Sequence, residues 1–207
     1  MFTDRIDAGR KLAQELTRYR GEDILVLAIP RGGVQIGFEI ARELDAELSL
    51  IIAKKLPCPC HPESGFGAIA EDGPPIIRKE ASRGIHPKTI QAIIHQQEQE
   101  IKRRIQILRG NQPLPAISGR TVILVDEGIA MGSTMQTAIK IIKKHEPEKL
   151  IVAAPVGSPE SVHALEGMQD VDEVYVLEKP QFFKSIKQAY RHWHTVPDHE
   201  VLTLISA

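Results

Sequence analysis

The sequence predicts an α/β protein with a doubly wound, mainly parallel sheet and helices on both faces. Continuous apolar runs recur along the chain, and such runs are typical of strands that are covered on both faces. Segments with helical periodicity separate these runs. The chain has 207 residues, which suits one large domain. We therefore expect a single domain over residues 1–207, with a small hood formed mainly by the tail from about residue 180.

The first part of the chain reads as helix, strand, helix and strand. Residues 4–20 have a helical apolar pattern, and the run at 23–29 is a strand that ends at the sequence PRGG. A helix over 34–44 and a second strand over 48–53 follow. This strand–helix–strand order is that of a right-handed crossover unit. Residues 56–66 are rich in proline, glycine and polar side chains, which predicts a mobile loop.

The middle of the chain predicts two short strands around residues 72–75 and then a long helix over 87–108. The apolar positions of this helix form a narrow stripe, which we interpret as a packing seam inside the protein or in a dimer.

Strands and helices alternate again in the second half of the chain. Strands are predicted at 121–126, 149–156 and 173–178, and a helix at 134–145. Ser158 is a candidate N-cap of a further helix, because proline and glutamate follow it. The alternation is the order expected of a doubly wound sheet.

Composition argues against several function classes. The net charge of −1 gives no support to a nucleic-acid partner, and no apolar run approaches the roughly 20 residues that span a bilayer. The first residues lack a signal-peptide pattern, and the cysteines Cys58 and Cys60 are too close together for an unstrained mutual disulfide. We therefore expect a cytoplasmic protein without a nucleic-acid or membrane partner.

The most informative segment is VILVDEGIAMGST at residues 122–134. It combines a buried strand, the acids Asp126 and Glu127, a loop of small residues and the start of a helix. The free N–H groups of a helix N-terminus bind anions, and Gly132 lets the backbone approach one closely. Two acids would repel a phosphate, but they suit sugar hydroxyls or a metal beside it. The segment therefore predicts a ribose 5-phosphate site, with solvated acids at a strand end as the alternative.

These residues resemble the PRPP-binding signature of type I phosphoribosyltransferases, where PRPP is 5-phosphoribosyl-1-pyrophosphate. The resemblance implies that Asp126 and Glu127 hold the ribose hydroxyls. It also implies that the 5-phosphate is bound by Ala130, Met131, Gly132, Ser133 and Thr134. Residues along essentially the whole chain are similar to the uncharacterised branch of bacteria and archaea that is often called predicted phosphoribosyltransferases.

The sequence PRGG at residues 30–33 resembles the pyrophosphate loop of the same family. Alone it would read as a turn. The resemblance implies an unusual cis peptide near Arg31–Gly32 and N–H groups directed at pyrophosphate. Arg31, Gly32, Gly33 and Lys54 are the candidate pyrophosphate-binding residues, although Lys54 and its neighbour Lys55 are equally consistent with a solvated strand end. A change of Gly32 to Val is expected to affect only ligands that carry pyrophosphate.

The implied function is the transfer of 5-phosphoribosyl from PRPP to a nitrogenous base with release of pyrophosphate. Asp126, Glu127 and Arg31 are the candidate catalytic residues. Mg²⁺ is the implied cofactor and would be bound through PRPP, with the two acids as its candidate protein contacts. A homodimer is expected. A non-catalytic PRPP or nucleotide sensor and a phosphoribosyl hydrolase stay open as alternatives, and the sequence does not indicate the acceptor base.

Two residues depart from the family pattern. Met131 stands where the family usually has threonine, so we expect weaker phosphate binding. Ala130 stands where hypoxanthine and guanine enzymes carry an aspartate, which argues against the same purine chemistry.

Other candidate residues have simpler interpretations. Cys58, Cys60 and His61 lack the fourth ligand and the standard spacing of a zinc site, so we interpret the cysteines as reduced thiols on a loop. His192, His194 and His199 lie close together in the sequence without recognisable partner ligands, and we interpret them as surface or hood histidines. Tyr190 and Trp193 could stack on a base, with packing in the core or at a dimer seam as the alternative.

Overall fold

The computed structural model describes residues 1–61 and 64–206. The strands are β1 (Ile24–Ala28), β2 (Glu47–Leu50), β3 (Ala53–Pro57), β4 (Gly65–Ala70), β5 (Ile76–Ile77), β6 (Thr121–Val125), β7 (Lys149–Val156) and β8 (Glu173–Glu178). The α-helices are α1 (Arg5–Glu15), α2 (Gly32–Leu44), α3 (Lys79–Ser82), α4 (Pro87–Arg109), α5 (Ser133–Lys144), α6 (Pro159–Glu166) and α7 (Asp198–Ile205). Short 3-10 helices cover Thr17–Tyr19 and Ile186–Ala189.

The central sheet has five strands in the order β2-β1-β6-β7-β8, and every neighbouring pair is parallel. Helices cover both of its faces. Val26 belongs to a buried cluster with Leu12 of α1 and Ile40 of α2, whereas its neighbour Leu25 belongs to a cluster with Ile139 of α5. Successive side chains of a strand point to opposite faces, so each strand contributes to both cores. The predicted doubly wound α/β architecture is confirmed.

The predicted strand over 48–53 is wrong as a single element. Strand β2 ends at Leu50, and β3 begins at Ala53 in a separate antiparallel sheet of order β3-β4-β5. Between them, the Ile52 amide donates to the carboxylate of Glu71, which forms a buried ion pair with Arg109. The residues at the change, 50–53, are all apolar and buried, so hydrophobicity alone does not show where the chain changes sheet.

The predicted mobile loop over 56–66 is also wrong at its two ends. Residues 56–57 belong to β3 and residues 65–66 to β4. Residues 62–63 of that prediction lie outside the described residues. Proline and glycine misled the prediction here, because Pro57 lies within β3 and Gly65 lies within β4.

The long helix α4 packs its stripe inside the chain. Ile94, Ile101 and Leu108 are buried in a cluster that includes Leu56 of β3 and Phe66 of β4. The helix ends at Gly110, which adopts a left-handed conformation with φ 57°. The predicted seam is therefore accounted for by packing within the protein.

The tail pairs with the N-terminal residues through backbone hydrogen bonds, and this pairing brings both segments to the candidate site. The Phe2 amide donates to the Ala189 carbonyl at 2.7 Å, and the Arg191 amide donates to the Phe2 carbonyl at 2.9 Å. Helix α7 then packs against α2 and α4. None of the helices in the described ranges is long and apolar enough to cross a membrane.

Candidate functional site

The two predicted motifs meet at one edge of the central sheet. Strands β1 and β6 are parallel neighbours with Ala28 opposite Val125, so the sequence PRGG and the acidic pair leave the sheet side by side. Ligands of open α/β sheets bind at this carboxyl edge. The cis peptide bond lies between Pro30 and Arg31, one bond before the expected position.

The PRGG segment lies so close to the acidic pair that little room remains for a side chain at positions 32 and 33. A Cβ atom on Gly33 would lie 3.0 Å from the Asp126 Cα, and one on Gly32 would lie 1.7 Å from Oε2 of Glu127. Any larger side chain at position 32 would therefore displace Glu127. This geometry changes the expectation for Gly32→Val: the variant should disturb Glu127 of the neighbouring motif, and its effect should extend beyond ligands that carry pyrophosphate.

The five predicted 5-phosphate residues surround one pocket. Gly132 has φ +71° and caps α5, which begins at Ser133. Asp126, Lys55 and Ile186 also line this pocket, which we refer to as the phosphate pocket. A left-handed glycine before a helix N-terminus leaves the first N–H groups of α5 available to an anion. The arrangement can hold a phosphate beside a carboxylate.

Helix α6 fixes the loop from outside. The hydroxyls of Ser158 and Ser161 both donate to the Ala130 carbonyl, at 2.8 and 2.6 Å. Ser158 is also the N-cap of α6, as predicted, and accepts from the Ser161 amide at 3.2 Å. The sequence reading found the cap but missed its second contact, since the partner lies 28 residues away.

A second pocket beside PRGG is lined by four cationic side chains from four separate parts of the chain: Arg5 of α1, Arg31 before α2, Lys54 of β3 and Arg104 of α4. Burial, followed by repulsion from Arg104, lowers the pKa of the Lys54 ammonium. The Arg31 guanidinium lies 3.4 Å from the Asp198 carboxylate of α7. We refer to this as the cationic pocket.

The structure distributes the predicted residues between the two pockets. Lys54 lines the cationic pocket and Lys55 lines the phosphate pocket, as expected for alternating side chains of a strand. Gly32 lines the cationic pocket, whereas Gly33 packs against Asp126. Arg5 and Arg104 were missed, because nothing in their helical sequence context distinguishes them from solvated surface residues.

The acidic pair is divided in the same way. Asp126 lines the phosphate pocket and Glu127 lines the cationic pocket. Burial raises the pKa of the Asp126 carboxyl well above its usual value, and repulsion from Glu127 raises it further. The Glu127 carboxylate is paired with buried Arg5, and the Tyr190 hydroxyl donates to the Glu127 carbonyl at 2.6 Å. A ribose between the two pockets would have one acid on each side.

The aromatic tail residues contact Arg5. Its guanidinium carbon lies 4.0 Å from the centroid of the Trp193 ring, and the rings of Tyr190 and Trp193 are 5.4 Å apart. Burial raises the pKa of the Tyr190 hydroxyl, which keeps it protonated as a donor.

The other candidates do not cluster. His192, His194, His199, Cys60 and His61 are exposed, and Cys58 is half-buried. Of these, His194 lines the cationic pocket and lies 3.5 Å from Glu200. Within residues 1–61 and 64–206, no group of three or more histidine, cysteine or acidic side chains could hold a metal ion by itself.

Comparison with known proteins gives a consistent result. The family model described as "Phosphoribosyl transferase domain" matches residues 76–188. The protein named "Putative phosphoribosyl transferase Rv0571c" of Mycobacterium tuberculosis is 36% identical over 207 residues, which cover 99% of this chain and 46% of that protein. The chain thus spans about half the length of the curated relative.

Among solved structures, TT1426 from Thermus thermophilus is 33% identical with a TM-score of 0.79, over 99% of this chain and 97% of that one. A purine phosphoribosyltransferase from Pyrococcus horikoshii shares the fold, at 16% identity and a TM-score of 0.50, over 87% and 88% of the two chains.

Proposed function

The chain belongs to the phosphoribosyl transferase family, and on that premise we propose that it binds PRPP with Mg²⁺ and transfers the 5-phosphoribosyl group to a nitrogenous base. One observation carries the proposal: two pockets lie at one sheet edge, and one member of the acidic pair lines each of them. PRPP has a matching arrangement, since it carries a phosphate and a pyrophosphate at opposite ends of a ribose with two hydroxyls.

Each part of PRPP has a chemically suitable counterpart. The start of α5 with Gly132 offers N–H groups to the 5-phosphate. Asp126 and Glu127 accept hydrogen bonds from the ribose hydroxyls. The cationic pocket offers guanidinium and ammonium groups to the pyrophosphate, which cannot be desolvated unpaired.

The residues present also suit Mg²⁺. In proteins this ion is usually held by one or two carboxylates together with substrate phosphates and water, rather than by a complete protein cage. Asp126 and Glu127 are such carboxylates, and a larger ligand cluster is absent from the described residues. When bound, Mg²⁺ would neutralise charge on the departing pyrophosphate.

The protein groups have separate roles in the proposed transfer. As the bond between ribose C1 and the pyrophosphate oxygen breaks, positive charge develops on the ribose and negative charge on the leaving group. Asp126 and Glu127 fix the hydroxyls and stabilise the first charge, while Arg31, Lys54 and Arg104 stabilise the second. The nitrogen of the base then forms the new bond to C1.

The test is release of pyrophosphate from PRPP by the purified protein, with and without a panel of purine, pyrimidine and smaller nitrogenous compounds. Release that requires one of the bases is the expected result. Release without any base would identify a hydrolase, and PRPP binding without release would identify a sensor. Absence of PRPP binding would overturn the proposal. The Asp126→Asn variant serves as the inactive control.

A further inference from the structure

Arg5 is held on three sides at the junction between the N-terminus, the tail and the site. Its side chain is only 3% exposed. Nε donates to Oε2 of Glu127, Nη1 donates to the His194 carbonyl at 3.1 Å, and the guanidinium stacks on Trp193. A buried guanidinium needs a counter-ion, because an unpaired buried charge is strongly destabilising. Glu127 is that counter-ion in this structure.

Arg5 also belongs to the cationic pocket. It lines the pocket with Arg31, Lys54 and Arg104, and its Nη2 has no hydrogen-bond partner within the described residues. A guanidinium can bind two oxygen ligands at once, since its five N–H donors lie in one plane. The same side chain is therefore placed to contact Glu127 and an anion in the pocket.

The position of Glu127 makes these two contacts compete. Its Oε2 lies where a Cβ of Gly32 would be, at the start of α2, so the carboxylate occupies part of the space beside the loop proposed to take pyrophosphate. A second anion in that pocket repels the Glu127 carboxylate and can replace it as the counter-ion of Arg5. Because Arg5 stays paired in both arrangements, the exchange leaves no unpaired buried cation.

We infer that Arg5 is a positioning residue that couples the two pockets. Without ligand it retains Glu127 in the cationic pocket. When pyrophosphate enters, Arg5 pairs with the pyrophosphate and releases Glu127 to accept the ribose hydroxyls. Occupation of the pyrophosphate pocket therefore strengthens binding of the ribose 5-phosphate half. This inference rests on the proposed function. It gives the N-terminal helix α1 a role in the site in addition to the roles of the two loop motifs.

The experiment compares the affinity of ribose 5-phosphate with and without saturating magnesium pyrophosphate. Wild type, Arg5→Met, Arg5→Lys and the control Lys11→Met are titrated by calorimetry. Lys11 is an exposed cation on the same helix, with Asp7 as its partner. In wild type and Lys11→Met, pyrophosphate is expected to tighten ribose 5-phosphate binding by about fivefold or more. A factor of about five is the lower end of the range that is usual for coupled sites. In Arg5→Met this factor is expected to fall to about one or below.

Arg5→Lys covers the case in which Arg5→Met does not fold. It retains the charge but lacks the planar group that contacts two anions, so its coupling factor is expected to lie clearly below that of wild type. An unchanged factor in the folded Arg5 variants would overturn the inference, as would wild type that binds both ligands without mutual strengthening. Wild type that binds neither ligand would instead overturn the proposed function, and the inference with it.

Discussion

The phosphate loop (residues 128–134) and the cationic pocket, which we propose bind the same ligand, are built in different ways. The loop is one contiguous segment, and its donors are backbone N–H groups exposed by Gly132 and the start of α5. The cationic pocket takes four cationic side chains from four separate parts of the chain. A contiguous backbone site leaves a pattern in the sequence, whereas a site assembled from distant side chains does not.

The difference also affects how the two pockets respond to substitution. Backbone donors survive a change of side chain, so substitutions in the loop alter affinity through added or lost hydroxyls. The cationic pocket depends on individual charges, and loss of one removes a charged hydrogen bond of about 1.5–3 kcal/mol. The predictions that follow test this contrast, beginning with the acid that faces the phosphate pocket.

Asp126→Asn is expected to give the largest effect. It weakens charged hydrogen bonds to the ribose hydroxyls, so affinity for both PRPP and ribose 5-phosphate should fall by about 100-fold or more. The Asn oxygen can still accept from the Glu127 amide, which the Asp126 carboxylate does at 2.7 Å, so the fold should persist. Calorimetric titration of both ligands measures the effect, and wild-type affinity in the folded variant would contradict the assignment.

The same variant is expected to be more stable than wild type at high pH. Burial raises the folded-state pKa of Asp126 above its unfolded value of about 3.9, so ionisation opposes folding. The penalty is absent below about pH 4 and increases as the pH rises through the folded-state pKa. Thermal unfolding at pH 5 and pH 8 should show an advantage for Asp126→Asn that is larger at pH 8. A lower melting temperature than wild type at both pH values would be inconsistent with this cause.

The double variant Lys54→Met with Arg104→Met distinguishes the contributions of the two pockets to ligand binding. Both side chains line the cationic pocket and neither lines the phosphate pocket. Affinity for PRPP and for pyrophosphate should fall by about 10- to 100-fold, while ribose 5-phosphate binding should change less than about threefold. Lys102→Met, an exposed cation on the same helix, is the matched control. Equal losses for all ligands would indicate one undivided site.

Met131→Thr is expected to strengthen binding at the phosphate loop, whereas the preceding variants weaken binding. Met131 is 39% exposed, so its replacement should cost little core packing. The new hydroxyl can donate to the phosphate, and binding of ribose 5-phosphate and PRPP should tighten by about tenfold. Pyrophosphate alone should bind as in wild type. Weaker binding of ribose 5-phosphate would mean that this loop serves another ligand.

Ser161→Ala is expected to give the smallest change. It removes one of the two hydroxyls that hold the Ala130 carbonyl, and a net hydrogen bond contributes about 0.5–1.5 kcal/mol. Affinity for ribose 5-phosphate should fall about threefold, because Ser158 still holds the loop. Ser82→Ala, which removes a hydroxyl contact of the short helix α3, is the control. A loss of more than about 30-fold would show that the side chain itself contacts the ligand.

Sequence reasoning succeeded where local patterns determine structure. Continuous apolar runs identified β1, β6, β7 and β8 of the central sheet, and the pairing of β1 with β6 explains why PRGG and Asp126 meet. It failed where the chain changes sheet at residues 51–52, since residues 50–53 are all apolar and buried. It also missed Arg5, which reaches Glu127 because Phe2 pairs with the tail through contacts at Ala189 and Arg191. Such long-range pairing leaves no signal in one sequence.

The central claim is that one ligand occupies both pockets at once, and titration with PRPP tests it most directly. PRPP with Mg²⁺ should bind at least about tenfold more tightly than ribose 5-phosphate or pyrophosphate alone, because the second contact is then intramolecular. A chelator should remove most of this advantage. PRPP that binds no more tightly than ribose 5-phosphate, with or without the chelator, would contradict the account.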